Sequence, residues 1–454
     1  MKLLALLAIT FFWNSETFAG FTKTTHDFGN YVPSRQSLTA TFEFKNPGPA
    51  PAILVLTTSG DSSRCSVSSY TKEPIKKGWV GKVHVSCKFT DDGFNLKQFA
   101  NFNVVQASGT TTQTLSARAN VVHSSDCKPM DLNHDEALKK IPTLDQDGMG
   151  ICYAFSAVQM VEYQARKNGI HRSFSPIDAS LISKSQLPDD RFELDSGLTD
   201  STIKHILEDG VASRSCIDEV IKKHTQGTSL SSEEFLSLVE EVWVARRKKT
   251  TETQIKKDLK NKCDSYGISV DQFSSLLKDL DIPFKRYITQ MFEECDSERN
   301  QLRDLKKLNL TVTKKTSGTN LEIVKEIDRH LDNKSPPNLV LCAEILQSKP
   351  HHRGLAISGT KRDFVYKNRV KDCGTHGVLA VARRKNNNRC EYLIRNSWGS
   401  TWAPKTLTCA CKTPKAYYPD CSKNKEPGGQ KVMVGCWVKE EDLIANTKNV
   451  IGLE

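Results

Sequence analysis

The spacing of the apolar residues changes once along the chain, near residue 123, and this change divides the sequence into two parts. Before it, apolar and polar residues alternate in three short segments that turn-rich stretches separate. Such alternation is typical of strands that bury one face. The apolar positions are Leu38, Ala40, Phe42 and Phe44, then Val83, Val85, Cys87 and Phe89, then Leu115, Ala117, Ala119 and Val121. We therefore predict an all-β sandwich of two sheets over residues 20–122.

After a polar joint at residues 123–131, the apolar residues follow a helical period. They recur at i, i+3, i+4 and i+7 behind Cys152, which predicts a helix that begins at Cys152 and ends before Gly169. Later apolar runs at residues 338–343, 378–382 and 392–394 predict strands. The fold class of the second part, residues 128–454, is therefore α+β, and 454 residues suffice for two or three domains.

The first residues have the pattern of a signal peptide, predicted here over residues 1–19. Lys2 supplies one charge, residues 3–13 are largely apolar, and the small residues Thr17 and Ala19 precede a cleavage site. This apolar core is about half as long as a membrane-spanning helix, and no later segment approaches that length. We expect an exported protein, secreted or exposed in a periplasm or cell envelope, and not an integral membrane protein.

Export would allow the fourteen cysteines to form disulfides, because disulfides persist in oxidising compartments. Setting Cys152 aside as a thiol leaves an odd number, so at least one further cysteine is free or pairs between chains. Cys65 and Cys87 are either a disulfide or two buried thiols. The densest group has irregular spacing without the C-x-x-C pairs of a zinc site, which favours disulfides over metal. Its members are Cys390, Cys409, Cys411, Cys421 and Cys436.

The formal net charge of +11 does not by itself predict a nucleic-acid partner, because the basic residues are scattered. Only short runs occur, such as those at residues 246–249 and 383–385. A solvated basic surface is the favoured interpretation and no nucleic acid is expected. Attraction to an anionic envelope surface or to an acidic substrate is the alternative.

Three segments carry residues that fit cysteine-dependent catalysis. Residues 146–156 read Gln-Asp-Gly-Met-Gly-Ile-Cys-Tyr-Ala-Phe-Ser, so Cys152 stands at a helix start, where a thiol pKa can fall. His376 opens the run Thr-His-Gly-Val-Leu-Ala-Val at residues 375–381, and Asn396 lies in Asn-Ser-Trp-Gly at residues 396–399. In content, order and the twenty-residue step from histidine to asparagine, these segments resemble the papain family of cysteine peptidases.

The resemblance implies a two-lobed papain-like domain and a role for each residue. Cys152 would be the nucleophile, His376 the acid and base, and Asn396 the group that orients the histidine. The Gln146 side chain and the Cys152 N–H would form an oxyanion hole, and Trp398 would shield the His–Asn hydrogen bond from water. No cofactor and no metal are expected.

The chain departs from the family pattern in the loop before the nucleophile and in the distance between the cysteine and the histidine. Met149 stands where the family usually has a disulfide-forming cysteine, so the loop must be held by packing. His376 follows Cys152 by 224 residues, against the roughly 130 to 150 of the family. We assign the excess to a helical insertion over residues 218–317, in which Ser231 with Glu234 and Ser269 with Gln272 predict capping boxes before apolar stripes.

The substrate-binding turn of the family is reduced here to a single glycine. Asp195-Ser196-Gly197 resembles that turn, and the resemblance implies that Gly197 contacts substrate. Gly150 and Trp398 are the other residues expected to contact it.

The N-terminal part carries a second resemblance. His-Asp-Phe-Gly at residues 26–29, followed by the strand and turn at residues 42–48, resembles the immunoglobulin-like modules of the ASH kind found in envelope proteins. Such modules bind or space other molecules. The resemblance therefore implies an envelope or cell-surface partner for this domain.

We predict an exported cysteine peptidase that acts on protein or peptide substrates. One alternative is a catalytically silent papain-like protein that binds peptides or mediates adhesion, but both the nucleophile Cys152 and the oxyanion residue Gln146 are present. The other is a cysteine-dependent amidase or transpeptidase of the envelope, for which a third segment other than that at residues 396–399 would be expected.

Overall fold

The computed structural model describes two units of the chain, divided between His123 and Ser124. The described residues are 20–23, 25–31, 38–46, 54–57, 65–70, 76, 78–87, 97–106, 112–121, 127–225, 228, 230–276, 282–347, 355–358, 361–364, 373–387, 389–413, 416–423 and 431–454. The predicted signal peptide at residues 1–19 and Phe89 lie outside these ranges.

The N-terminal unit consists of two four-stranded sheets with the orders β1-β3-β6-β5 and β2-β8-β7-β4. The strands are β1 (Gly20–Phe21), β2 (Thr25–Tyr31), β3 (Leu38–Asn46), β4 (Leu54–Thr57), β5 (Cys65–Tyr70), β6 (Trp79–Cys87), β7 (Lys97–Gln106) and β8 (Thr112–Val121). The pairing of β2 with β8 is parallel, and the other pairings are antiparallel.

The alternation predicted for the first two segments is confirmed in β3 and β6, which pair along their whole length. Their buried apolar side chains are Ala40, Phe42, Phe44, Val83, Val85 and Cys87. The rings of His26 in β2 and Phe42 in β3 meet edge to face with centroids 6.4 Å apart, which joins one sheet to the other. Cys87 is disulfide-bonded, and its register partner in β5 is Cys65.

The second unit combines thirteen described helices with a large antiparallel sheet. The helices are α1 (Glu136–Lys139), α2 (Cys152–Lys167), α3 (Pro176–Ser183), α4 (Thr199–Asp209), α5 (Arg214–His224), α6 (Ser232–Arg247), α7 (Glu252–Ser265), α8 (Val270–Leu276), α9 (Phe284–Met291), α10 (Asp296–Leu302), α11 (Asn320–Asp332), α12 (Glu344–Gln347) and α13 (Glu440–Asn446).

The sheet has the order β10-β19-β11-β14-β15-β18-β16-β17, and β9 pairs with β14 at its side. Its strands, with the separate hairpin β12–β13, are β9 (Met130–Asp131), β10 (Val312–Lys315), β11 (Asn338–Cys342), β12 (Leu355–Ser358), β13 (Lys361–Phe364), β14 (Thr375–Asn386), β15 (Arg389–Arg395), β16 (Cys409–Lys412), β17 (Tyr417–Tyr418), β18 (Val432–Lys439) and β19 (Thr447–Leu453). The three predicted strands correspond to β11, β14 and β15.

Helix α2 lies between the other helices and the sheet. It packs against α3 and α4 on one side and β14 on the other, so every residue from Tyr153 to Ala165 is buried. The predicted helix is present, but its burial extends beyond the predicted apolar stripe because both sides are covered. It ends at Lys167, and Gly169 adopts a positive φ of 82° just beyond it.

The segment predicted as an insertion, residues 218–317, contains most of α5 and all of α6 to α10. The capping boxes of Ser231 with Glu234 and of Ser269 with Gln272 are both confirmed. A disulfide joins Cys216 to Cys295 across the segment. Its last residues include β10, which pairs with β19 at the edge of the sheet.

Four further disulfides cross-link the second unit. They are Cys127–Cys390, Cys342–Cys373, Cys409–Cys436 and Cys411–Cys421. All five cysteines of the dense group are therefore in disulfides, and the free cysteines among the described residues are Cys152 and Cys263. None of the helices in the described ranges combines the length and apolar content that crossing a membrane requires.

Candidate active site

Cys152 is the first residue of α2, directly after the N-cap residue Ile151. Its Sγ accepts a hydrogen bond from the backbone N–H of Gly377 at 3.4 Å. No side chain caps the helix, so the N–H groups of its first turn remain directed at the thiol end of the helix. The helix start therefore brings backbone donors to the sulfur, as the sequence predicts.

His376 lies near the start of β14 and is 4% exposed. Its Nε2–H donates to Oδ1 of Asn396 at 2.6 Å, and Asn396 follows directly after β15. Because β14 and β15 are antiparallel neighbours, the pair is fixed by the sheet. This hydrogen bond leaves Nδ1 as the ring nitrogen available to exchange a proton with Cys152.

Trp398 covers one face of the His376 ring, and Trp402 packs against Trp398. The Trp398 ring stacks on the His376 ring with centroids 4.8 Å apart and an interplanar angle of 26°. Trp402 meets Trp398 edge to face at 5.2 Å. This packing excludes water from one face of the imidazole and holds the ring plane.

The Gln146 amide is held at both ends. Its Oε1 accepts from the Ser397 hydroxyl at 2.6 Å, and its Nε2 donates to the Met149 carbonyl at 2.7 Å. An amide nitrogen has two hydrogens, so one N–H of Gln146 is left for a ligand. Ser397 stands inside the quoted Asn-Ser-Trp-Gly segment, but its role in fixing Gln146 depends on contacts between residues far apart in the chain.

Gly150 and Gly197 allow close packing beside the nucleophile. A Cβ on Gly150 would lie 2.7 Å from the Asp195 carboxyl carbon, and one on Gly197 would lie 2.2 Å from the Tyr153 ring. The Gly150 N–H donates to Oδ1 of Asp195 at 2.7 Å. That N–H is thus used within the protein, and Asp195 holds the backbone beside the nucleophile, a role that the motif does not indicate.

A cavity of about 520 Å³ brings the predicted residues together. Gln146, Gly150, Cys152, Gly197, His376 and Trp398 all line it. Asn396 is buried behind His376. The remaining wall is partly apolar, with Val340, Ala343, Ile451 and Leu198, whose side chain is 61% exposed.

Comparison with protein families assigns the second unit. Residues 127–416 match the family model described as papain family cysteine protease. The chain belongs to the papain family of cysteine proteases. Residues 19–121 match a family described as a protein of unknown function, DUF1573.

Solved structures resemble this papain-family chain only distantly, and no curated protein sequence matches it. Procathepsin L2 from the larval midgut of Tenebrio molitor is 12% identical over 68% of this chain and 67% of its own, with a TM-score of 0.28. The secreted serine protease VesC of Vibrio cholerae is 14% identical over 23% of each chain, with a TM-score of 0.19. A protein of unknown function from Porphyromonas gingivalis W83 is 15% identical over 23% of this chain and 48% of its own, with a TM-score of 0.19. The chain thus spans about a quarter of VesC and about half of the Porphyromonas protein.

The electrostatics of this papain-family site correct one expectation. Burial raises the pKa of the Cys152 thiol, although backbone N–H groups of Gly377 and Tyr153 act to lower it. The motif predicts a lowered pKa, because it indicates the helix start but not the extent of burial. Burial also lowers the pKa of His376 to about 4, against a smaller opposing effect of Asn396.

Each group taken by itself therefore favours its neutral form. Transfer of the thiol proton to His376 creates two opposite charges within one cavity, and their attraction opposes the cost of burying either charge alone. The site can thus move a proton from sulfur to imidazole as the sulfur attacks a carbonyl.

Proposed function

We propose that this chain is an exported peptidase that hydrolyses peptide bonds through a Cys152–His376–Asn396 mechanism with an acyl-enzyme intermediate. The observation that carries the proposal is the shared cavity. Cys152 and His376 line it together with Gln146, and Asn396 holds the imidazole by its Nε2.

In the first half-reaction, Cys152 Sγ attacks the carbonyl carbon of the scissile bond while its proton passes to His376. His376 then gives this proton to the leaving amine as the C–N bond breaks, which leaves a thioester on Cys152. The remaining N–H of Gln146 and the backbone N–H of Cys152 would bind the oxyanion, an effect that often supplies roughly 10² to 10³ in rate.

In the second half-reaction, His376 takes a proton from water, and the resulting hydroxide attacks the thioester. The C–S bond breaks, the carboxylic acid product leaves, and the proton on His376 passes to the sulfur, which restores the neutral Cys152 thiol. Asn396 and Trp398 keep the ring in one orientation throughout, so Nδ1 is the atom that both accepts and donates the proton. Gly197 and Leu198, on the cavity wall, are proposed to contact the substrate.

Export and the role of the N-terminal unit are part of the proposal. Five disulfides in the second unit fit an oxidising compartment, where such bonds persist. The two four-stranded sheets of residues 20–121 fit an immunoglobulin-like module that binds an envelope or cell-surface partner.

A peptide-library digest tests the peptidase activity. The mature protein should cleave peptides, Cys152→Ala should not, and a thiol-directed epoxide should modify Cys152 ahead of the buried Cys263. Cleavage that persists in Cys152→Ala would contradict the mechanism. Epoxide labelling without any cleavage would identify a binding protein, and cleavage restricted to cell-wall peptides would identify an envelope amidase.

A further inference from the structure

The loop before the nucleophile, residues 145–150, carries Gln146 and contains no cysteine that could anchor it by a disulfide. Two successive residues adopt left-handed backbone conformations, Asp147 with φ 43° and Gly148 with φ 84°. A non-glycine residue keeps such a conformation only when its surroundings hold it there. Contacts to Asp147 therefore help to hold the loop, beside the bonds of Gln146 to Ser397 and Met149.

The helical segment at residues 218–317 provides two of these contacts. The Ser231 hydroxyl, at the N-cap of α6, donates to Oδ2 of Asp147 at 2.9 Å. The Tyr266 hydroxyl, at the C-cap of α7, donates to the Asp147 carbonyl at 3.4 Å. These residues lie 84 and 119 positions beyond Asp147 in the chain.

The capping box fixes the direction of the Ser231 hydroxyl. Its Oγ accepts from the Glu234 N–H at 3.0 Å, so its single hydrogen is free to point at Asp147. The backbone N–H of Asp147 donates in turn to Oδ1 of Asp145 at 3.1 Å. Asp147 is thus bound through its side chain, its carbonyl and its N–H.

We infer that Ser231 and Tyr266 are positioning residues, through which the helical segment holds the oxyanion loop in its active conformation. The inference rests on the proposed function. Asp147 follows Gln146 directly, so a change in the Asp147 backbone displaces the Gln146 amide from the site where an oxyanion would form. Neither hydroxyl lines the cavity of Cys152 and His376, so both act through the loop.

The experiment compares the full-length protein with Ser231→Ala, Tyr266→Phe and the double variant. We expect the double variant to lose about tenfold in kcat with KM changed less than about twofold, as displacement of a catalytic group predicts. Its affinity for a peptide aldehyde, which forms a tetrahedral adduct in the oxyanion hole, should fall by a similar factor. Alkylation of Cys152 by iodoacetamide, which forms no oxyanion, should stay within about twofold.

Two controls separate positioning from helix capping. Ser231→Thr retains a hydroxyl and should restore the kcat of the wild-type protein. Ser269→Ala removes an equivalent capping box from the exposed start of α8 and should leave kcat and aldehyde affinity unchanged.

The inference is overturned if the double variant keeps the kcat and aldehyde affinity of an active wild-type protein, and the proposed function then stands. It is also overturned if alkylation falls as much as aldehyde affinity, since that indicates general disruption of the site. A wild-type protein that cleaves no peptide and binds no aldehyde would overturn the proposed function and this inference together.

Discussion

At the scale of single residues, the burial of His376, the proposed acid and base, makes the stability of the fold depend on pH. In the unfolded chain, His376 has the ordinary histidine pKa near 6.5 and binds a proton as the pH falls below that value. In the folded chain its pKa is about 4, so it stays neutral until the pH is much lower. Between these values the unfolded chain binds more protons than the folded chain. The stability that His376 contributes is therefore complete above about pH 6.5 and is lost as the pH falls toward 4.

We predict that wild-type protein loses about 2 kcal/mol more unfolding free energy than His376→Gln when the pH is lowered from 7 to 4.5. Glu233 and Glu240 act in the opposite direction, because burial raises each pKa to about 7, so their contribution is lost as the pH rises from about 4.5 to 7. Both proteins contain these carboxyls, so the difference isolates His376. Urea unfolding at the two pH values measures it, and equal losses would contradict the assignment.

Asn396 should matter less for turnover than His376. Its Oδ1 accepts from His376 and from the Ser397 N–H, so Asn396→Ala removes a group that orients the imidazole but leaves the imidazole itself. His376→Ala removes the proton carrier. We expect kcat/KM on a peptide substrate to fall further in His376→Ala, and the reverse order in two folded variants would show that Asn396 has a larger role than orientation.

At the scale of elements, an ion pair on a fully buried carboxylate ties the helical segment to the rest of the second unit. Asp178 of α3 is fully buried, accepts from Arg299 of α10 and also accepts the Ala212 N–H at 2.7 Å. Arg299 reaches it with Nε at 2.9 Å. Loss of the Arg299 guanidinium leaves the buried Asp178 carboxylate without a compensating charge, in a place that water does not reach.

Arg299→Met should therefore lower the unfolding free energy by about 3 kcal/mol. Asp271→Asn offers a matched control, because Lys256 and Asp271 form an exposed pair whose loss should cost less than about 1 kcal/mol. Urea unfolding of both variants at pH 7 measures the two effects. Similar small losses in both would mean that the pair does not hold the helical segment.

The elements also show what local pattern can predict. Both capping boxes and the strands near His376 and Asn396 depend on residues within a few positions of one another, and they were predicted. Strands β16 to β19 were not, because short segments such as Thr447–Leu453 acquire their role from pairing with distant strands. The raised thiol pKa and the bonds from Ser231 and Tyr266 to Asp147 depend on burial and long-range contact, which no motif contains.

At the scale of the whole molecule, the chain joins two units that each have a core of their own. In the N-terminal unit, β3 and β6 bury a continuous apolar face, and nothing in its sequence predicts the long helix and extended segment that would occupy a peptidase cleft. We therefore interpret it as a binding or targeting module, with catalysis assigned to the second unit. On this interpretation, export of the two-unit chain would place a peptidase at the surface that the N-terminal module is proposed to bind.

A fragment that begins at Ser124 should fold and hydrolyse small peptides with a kcat/KM within about twofold of the full-length protein, because all the proposed catalytic residues lie beyond that point. The fragment must keep Cys127, since its disulfide with Cys390 ties the N-terminal end of the unit to β15. Retention on envelope material should fall when the module is removed. A many-fold rise in peptide turnover would instead show that the module restrains the enzyme, and the binding interpretation would then be wrong.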